Sequence, residues 1–260
     1  MAGRHGVQTG AQAGSKRLSI REGNTMRFHQ KLLAAVSFGV LAFTASVGAS
    51  ASPANPQVGS DYRVLEQAQP TDSGNKVEVT EFFWFDCPHC AAWDPSLTAW
   101  VKKQGDKINF KKVPVAFRDT FVPQQKLYYT LEAMGKADEL TPKIFHAIHV
   151  ENQRINTDKT ILAYIEKIGL DKQKFLDLYN SFGVQTKARR AAQLQEAYKV
   201  DGVPMIAIDG RYVTSPAVVG VALANQPESM QQAAALQVMD HLVAKVAAEK
   251  AAGGAAAKKK

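Results

Sequence analysis

Cysteine is nearly absent: two of the 260 residues, both inside Cys87-Pro88-His89-Cys90. A two-residue loop constrains the unfolded chain little and is awkward for ordinary disulfide geometry, which disfavours a purely structural bridge. The chain also lacks an internal repeat, a glycine-rich phosphate loop and a Ser-His-Asp constellation. Those absences remove repeat arrays, phosphate cradles and triad hydrolases. Long apolar runs are missing too, because the stretch Leu32 to Phe43 is too short to span a bilayer. Net charge is scarce wherever a fold could sit. Of the formal +8, residues 1–51 hold six basic residues (Arg4, Lys16, Arg17, Arg21, Arg27, Lys31) against one acid, Glu22. The remainder has 26 basic and 23 acidic residues, or +3, and Lys258, Lys259 and Lys260 account for all of it. A basic surface for nucleic acid is therefore not indicated.

What is present centres on one stretch. Val77-Glu78-Val79-Thr80-Glu81 reads as a strand and continues through Phe82-Phe83-Trp84-Phe85. It leads by Asp86 into Cys87-Pro88-His89-Cys90 and the helix-compatible run Ala91 to Val101. A cysteine at a strand-to-helix junction meets unpaired N–H groups and the positive end of the helix dipole, and both favour a thiolate. The pair reads as a redox dithiol. Metal binding is the rival reading, since His146 and His149 complete a Cys₂His₂ set on paper. Their spacing is shorter than the usual zinc-finger interval, and each also fits as an ordinary helix histidine. Glu81 has two readings. It is either the solvent-facing residue of an alternating strand or a partly buried carboxylate with a raised pKa, able to relay protons when Cys90 ionises.

The rest of the chain divides around this stretch. Residues 1–25 are polar and without periodicity. From Met26 a basic patch, a short apolar core and small residues (Val47-x-Ala49, Ala49-x-Ala51) have the layout of a cleavable secretory signal, 26–51. Signals begin at the initiator, so Met26 reads as the true start and 1–25 as a misassigned extension; an uncleaved membrane anchor is the alternative. Residues 52–61 form a Pro-containing linker, and Tyr62 to Leu65 a short strand. The active helix is expected from Pro88 towards Lys103, kinked at Pro95, with Ile108 to Val115 the parallel strand of a βαβ unit. Five helical patterns then follow: Gln124 to Met134, Asp138 to Val150 (opened by Asp138 or by Thr141 with Pro142), Lys159 to Ile168, Lys172 to Phe182 (ended by Gly183) and Thr186 to Val200. They indicate a helical subdomain, 123–199, large enough for a small core of its own, inserted into a sheet domain of residues 62–122 and 200–250. Asp209-Gly210 between β-prone runs marks a hairpin. Ser229 to Lys250 forms a last amphipathic helix, and 251–260 a frayed basic tail.

Phe82-Phe83 followed by Cys87-Pro88-His89-Cys90, with Gly202-Val203-Pro204 before an apolar strand far downstream, resembles the DsbA family of periplasmic thiol:disulfide oxidoreductases. The likeness covers about Tyr62 to Ala248. It implies an α/β thioredoxin-like fold with an inserted all-α subdomain, a cis peptide at Val203–Pro204 packed against the active pair, and a glutamate relay at Glu81. It also implies no cofactor beyond the Cys87–Cys90 disulfide. In the scheme that follows, Cys87 is the exposed sulfur that forms the mixed disulfide and Cys90 is the buried partner. Pro88 and His89 lie between them; His89 stabilises the Cys87 thiolate and makes the disulfide a stronger oxidant. The Val203 backbone pairs with an extended substrate. Expected partners are exported proteins with free thiols and, by resemblance, a DsbB-type inner-membrane reoxidant. The chain is expected to act as a monomer in the periplasm. Ala91-Ala92 after the motif says nothing of the neighbouring groove. Rival functions are an isomerase or reductase of the same fold, and a non-enzymatic metal carrier or chaperone.

Overall fold

The computed structural model describes residues 55–257. The extension 1–25, the secretory signal 26–51, the first linker residues 52–54 and the last three lysines lie outside the described residues.

Five strands form one mixed sheet: β1 (Arg63–Val64), β2 (Val77–Phe83), β3 (Ile108–Pro114), β4 (Met205–Ile208) and β5 (Tyr212–Thr214). Their spatial order is β1-β5-β4-β2-β3, with β2 and β3 parallel and the remaining pairs antiparallel. Helix α1 (Pro88–Gln104) makes the crossover between the parallel strands. All seven residues of β2 are buried. A strand with neighbours on both edges and layers on both faces has no solvent side, so the alternating reading of Glu81 fails here.

Side chains on β2 and β4 alternate between two apolar layers. Val77, Val79, Ile206 and Ile208 pack with Trp93, Leu97 and Trp100 of α1 and with Val238, Leu242 and Val246 of the final helix α8 (Glu228–Ala257). Phe82, Met205 and Ala207 face the other way, towards the helices inserted between β3 and β4. These are α2 (Val122–Ala133), α3 (Ala137–His149), α4 (Asp158–Lys167), α5 (Lys172–Tyr179) and α6 (Phe182–Ala197), with α7 (Pro216–Gly220) coming later, before α8. Leu127, Ile144, Ile161 and Phe175 of the insertion share one continuous cluster with the sheet instead of closing a separate core.

Most helix ends follow the local chemistry. Thr157 and Thr160 form a capping box on α4, Asp171 caps α5, and Gly135 and Gly169 take positive φ after α2 and α4. Two ends differ from expectation. Neither Asp138 nor Thr141 opens α3: the helix begins at Ala137 without a side-chain cap, and Pro142 lies inside it. Gly183 does not stop α5 either; Ser181 accepts from Val184 N–H and starts α6, so Gly183 falls in that helix's first turn. The last helix also runs beyond Lys250 to Ala257, where a frayed tail is expected from Ala251. Helix α7, capped by Ser215, was not foreseen. No helix among the described residues is long and apolar enough to cross a membrane.

The Asp209-Gly210 turn joins β4 to β5 as the sequence indicates. Gly210 has φ +68°, and an added methyl there would overlap the backbone carbonyl oxygen of Gln69. Only glycine meets both demands.

Candidate active site

The turn after β2 delivers Cys87 to the N-cap of α1. Cys87 has extended backbone angles (φ −82°, ψ 115°), Pro88 is the first helical residue, and Ala91 N–H closes the first turn onto the Cys87 carbonyl at 3.1 Å. Serine or aspartate usually supplies the side-chain acceptor at this cap; here the Cys87 sulfur does, accepting Cys90 N–H at 3.4 Å. No acid lies in the first turn of α1.

The two thiols are free and sit in unequal environments. Cys87 is 6% exposed and Cys90 1%, so the outer sulfur shows only a narrow face to solvent. Hydrogen bonding from the Cys90 thiol, then from the Cys90 and His89 backbone N–H groups, lowers Cys87 to about 6 against the opposing effect of burial. The imidazole charge of His89 makes the smallest of these contributions. Burial, reinforced by the neighbouring Cys87, pushes Cys90 well up. One sulfur is thus poised as thiolate and the other held as thiol.

His89 is expected to bond the Cys87 thiolate, but its side chain points outward. The ring is 64% exposed, and Nδ1 lies 2.8 Å from Oε1 of Glu228 at the start of α8. The main contribution of position 89 is its backbone N–H.

Opposite Cys87 stands the loop before β4. Its Val203–Pro204 peptide is cis, and the Cys87 thiol donates to the Val203 carbonyl at 3.4 Å. The antiparallel register Phe82↔Met205 brings the loop there, joining residues 116 apart in sequence. Among the described residues, Val203 N–H has no backbone partner. A groove of about 620 Å³ opens beside it, lined by Gly202, Val203, Pro204, Ala217, Val218 and Val221. A larger hollow, about 1070 Å³, lies around Lys103, Asp240 and Ala247 and includes no cysteine.

Glu81 lies beneath the pair, 1% exposed. The parallel register sets Lys112 of β3 directly beside it, with Nζ 3.0 Å from Glu81 Oε2 and 2.7 Å from Asp94 Oδ1 of α1. The contact with Glu81 is an ion pair without hydrogen-bond alignment, because Oε2 has no hydrogen-bond partner. Burial raises the Glu81 carboxyl; Lys112 pulls it down, and Asp94 adds to the rise. Burial alone would drive the proton off Lys112, but Glu81 and Asp94 more than offset that and keep it charged. Sequence reasoning missed both partners. Each left a signal: Asp94 sits next to buried Trp93, and Lys112 falls on the same face of β3 as Ile108 and Phe110.

Three contacts tie the turn before Cys87 to the helical insertion. His149 Nε2 lies 2.8 Å from the Phe85 carbonyl, Gln124 Nε2 donates to Asp86 Oδ1 at 2.7 Å, and Asn156 Nδ2 reaches Asp86 Oδ2 at 3.4 Å. His146 is on the surface with Glu151. No group of three or more His, Cys, Asp or Glu side chains placed to hold a metal ion occurs among the described residues.

The chain around this site is similar to known proteins. Residues 78–235 match the family model of the DSBA-like thioredoxin domain. The thiol:disulfide interchange protein DsbA of Burkholderia cepacia is 47% identical over 170 residues, 65% of this chain and 80% of that protein. The protein of the same name from Bordetella pertussis is 38% identical over 214 residues, 82% of this chain and 94% of its own. A crystal structure of a Pseudomonas aeruginosa DsbA variant superposes with a TM-score of 0.66 at 30% identity, covering 75% of this chain and all of that one.

Proposed function

This chain belongs to the DsbA family and is a thiol:disulfide oxidoreductase, from which we propose that Cys87–Cys90 is the disulfide it donates. The observation that carries the assignment is the position of the Cys87 sulfur. It caps α1, lies 3.4 Å from the Val203 carbonyl of the cis-proline loop, and covers the buried Cys90.

In the oxidised enzyme a substrate thiolate attacks Cys87 Sγ and the Cys87–Cys90 bond breaks. Its electron pair goes to Cys90, which takes a proton because burial disfavours its thiolate. Glu81, a buried carboxyl with a raised pKa beneath Cys90, supports the role of proton relay to that sulfur. A second substrate thiolate then attacks the substrate sulfur of the mixed disulfide, and Cys87 leaves. The substrate gains one disulfide and the enzyme becomes the dithiol. A leaving thiol that titrates near 6 is about nine-tenths ionised at neutral pH. Relative to a thiol at 9.0, this favours the reduced enzyme roughly elevenfold, or about 31 mV. Pro88 shapes the first helical turn and His89 lends its N–H to the sulfur.

The unpaired Val203 N–H and the adjoining apolar groove support strand-like pairing with an extended substrate. Clients are exported proteins with free thiols, and the reoxidant is a DsbB-type inner-membrane protein. The secretory layout of residues 26–51 supports a periplasmic site of action, where an oxidant can operate. Residues 62–122 and 200–250 form the thioredoxin-like part and 123–199 its insertion.

Cys90→Ser tests the scheme, since it removes the resolving sulfur. After reaction with an oxidised model peptide the variant should accumulate a mixed disulfide at Cys87. Equal trapping at position 87 and on a Cys87→Ser control would refute the assignment. Titrated against glutathione, the native pair should have a potential above about −180 mV; a value near −270 mV would mark a reductase.

A further inference from the structure

We propose that Asp86 restrains the oxidising power of the Cys87–Cys90 pair as a positioning residue, its carboxylate fixed beside the nucleophile by Gln124 and Asn156 of the helical insertion. The proposal rests on the assignment of that pair as the redox couple. Asp86 immediately precedes the cap of α1, where the helix offers one positive pole. Both the Asp86 carboxylate and the Cys87 thiolate draw on that pole, so each lessens the gain of the other.

The clamp makes this competition persistent. Gln124 is 1% exposed and donates to both Asp86 Oδ1 (2.7 Å) and the Ile155 carbonyl (2.9 Å), so its amide is held from two sides. Asn156 approaches the other oxygen at 3.4 Å. Both donors are neutral amides, which fix the carboxylate without cancelling its charge. The half-buried Asp86 is thereby held one residue from the reacting sulfur. A unit charge on the neighbouring residue, acting over several ångströms of water-like dielectric, shifts an ionisation equilibrium by about threefold. The sign is unambiguous: it disfavours the thiolate, hence the reduced protein, hence the oxidant. Gln124 acts through Asp86, holding that carboxylate in place.

The measurement is the equilibrium in which the enzyme disulfide and two glutathione thiols give the enzyme dithiol and one glutathione disulfide. Asp86→Asn keeps an acceptor for Gln124 and removes the charge. It should move the constant about threefold towards reduced enzyme, about 14 mV less negative, and lower the Cys87 thiolate pKa read by ultraviolet absorbance. Gln124→Met keeps the shape and removes the donor. It should release the carboxylate and shift the constant towards reduced enzyme, and should have no effect once Asp86 is already Asn. Urea unfolding of each variant verifies that the measured couple is that of folded protein, and Asn156→Ala serves in place of Gln124→Met if the latter does not fold. A wild-type pair that fails to equilibrate with glutathione would sink the redox assignment itself. A wild-type pair that equilibrates while Asp86→Asn changes the constant by less than about 1.5-fold, or towards oxidised enzyme, would overturn only the role of Asp86. A Gln124→Met effect of equal size in both backgrounds would overturn the coupling.

Discussion

Replacing Lys112 with methionine would leave Glu81 and Asp94 facing each other with no cation between them. The three side chains are almost wholly enclosed, at 12%, 1% and 5% exposure, so water cannot take over the lost contact. Removing one partner of a buried ion pair costs about 3–5 kcal/mol, which for a domain of this size is a fall of roughly 6–20 °C in Tm. The loss should depend on pH in one direction. Glu81 already titrates above its ordinary value through burial, and Lys112 is what pulls it down. Without Lys112 its folded pKa rises further. An acid whose folded pKa exceeds its unfolded one retains its full contribution below the unfolded value, about 4.3, and loses it as pH climbs through the folded value. Urea unfolding of the reduced protein should therefore show a small defect near pH 4.5 and the full defect at pH 7.5. Adding Glu81→Gln to Lys112→Met should recover much of the loss at pH 7.5. A defect below about 1 kcal/mol at pH 7.5, or one equal at both pH values, would refute the charge argument.

Alkylation of the reduced protein by iodoacetamide should rise with pH to half its maximum near 6 and level off above, since the thiolate is the nucleophile; a midpoint above 8 would contradict the environment of Cys87. His89→Ala should lower the reduction potential by less than the 29.6 mV of a tenfold change, because the backbone N–H at that position remains and the imidazole charge contributes least. A fall of several times that size would restore the side chain to the leading role. Gly210→Ala should destabilise by about 2–4 kcal/mol in chemical denaturation, from left-handed strain and overlap with Gln69. A variant as stable as the parent would show the turn to be adaptable.

The parts of the site that are close in sequence were legible, and the parts made by packing were not. Cys87, Pro88, His89 and Cys90 follow a strand signal and open a helix, so their shared turn is local information. Val203-Pro204 carries no local mark of its role; only likeness to a known family connected it to cysteines 116 residues away. Lys112 and Asp94 are unremarkable as a strand lysine and a helix aspartate until the register of β2 with β3 sets them around Glu81. Glu228 and Gln124 lie still farther from the motif and are joined to it only by folding. The misread helix ends have a common cause. Pro142 and Gly183 are strong local punctuation, yet α3 buries Ile144 and Phe145 and α6 buries Val184 and Ala191, and tertiary packing of those faces carries each helix across the signal.

Pairing of β2 with β4 has a consequence for the life of the chain before it is finished. Phe82 and Met205 can meet only after everything between them, including all five inserted helices, has been made and gathered in. Until that loop closes, Cys87 has no Val203 carbonyl opposite it and the groove beside Val203 does not exist. A partly made copy therefore carries the cysteine pair without the loop that faces it. The motif is local, but the half of the site that faces it is among the last parts of the chain to be made.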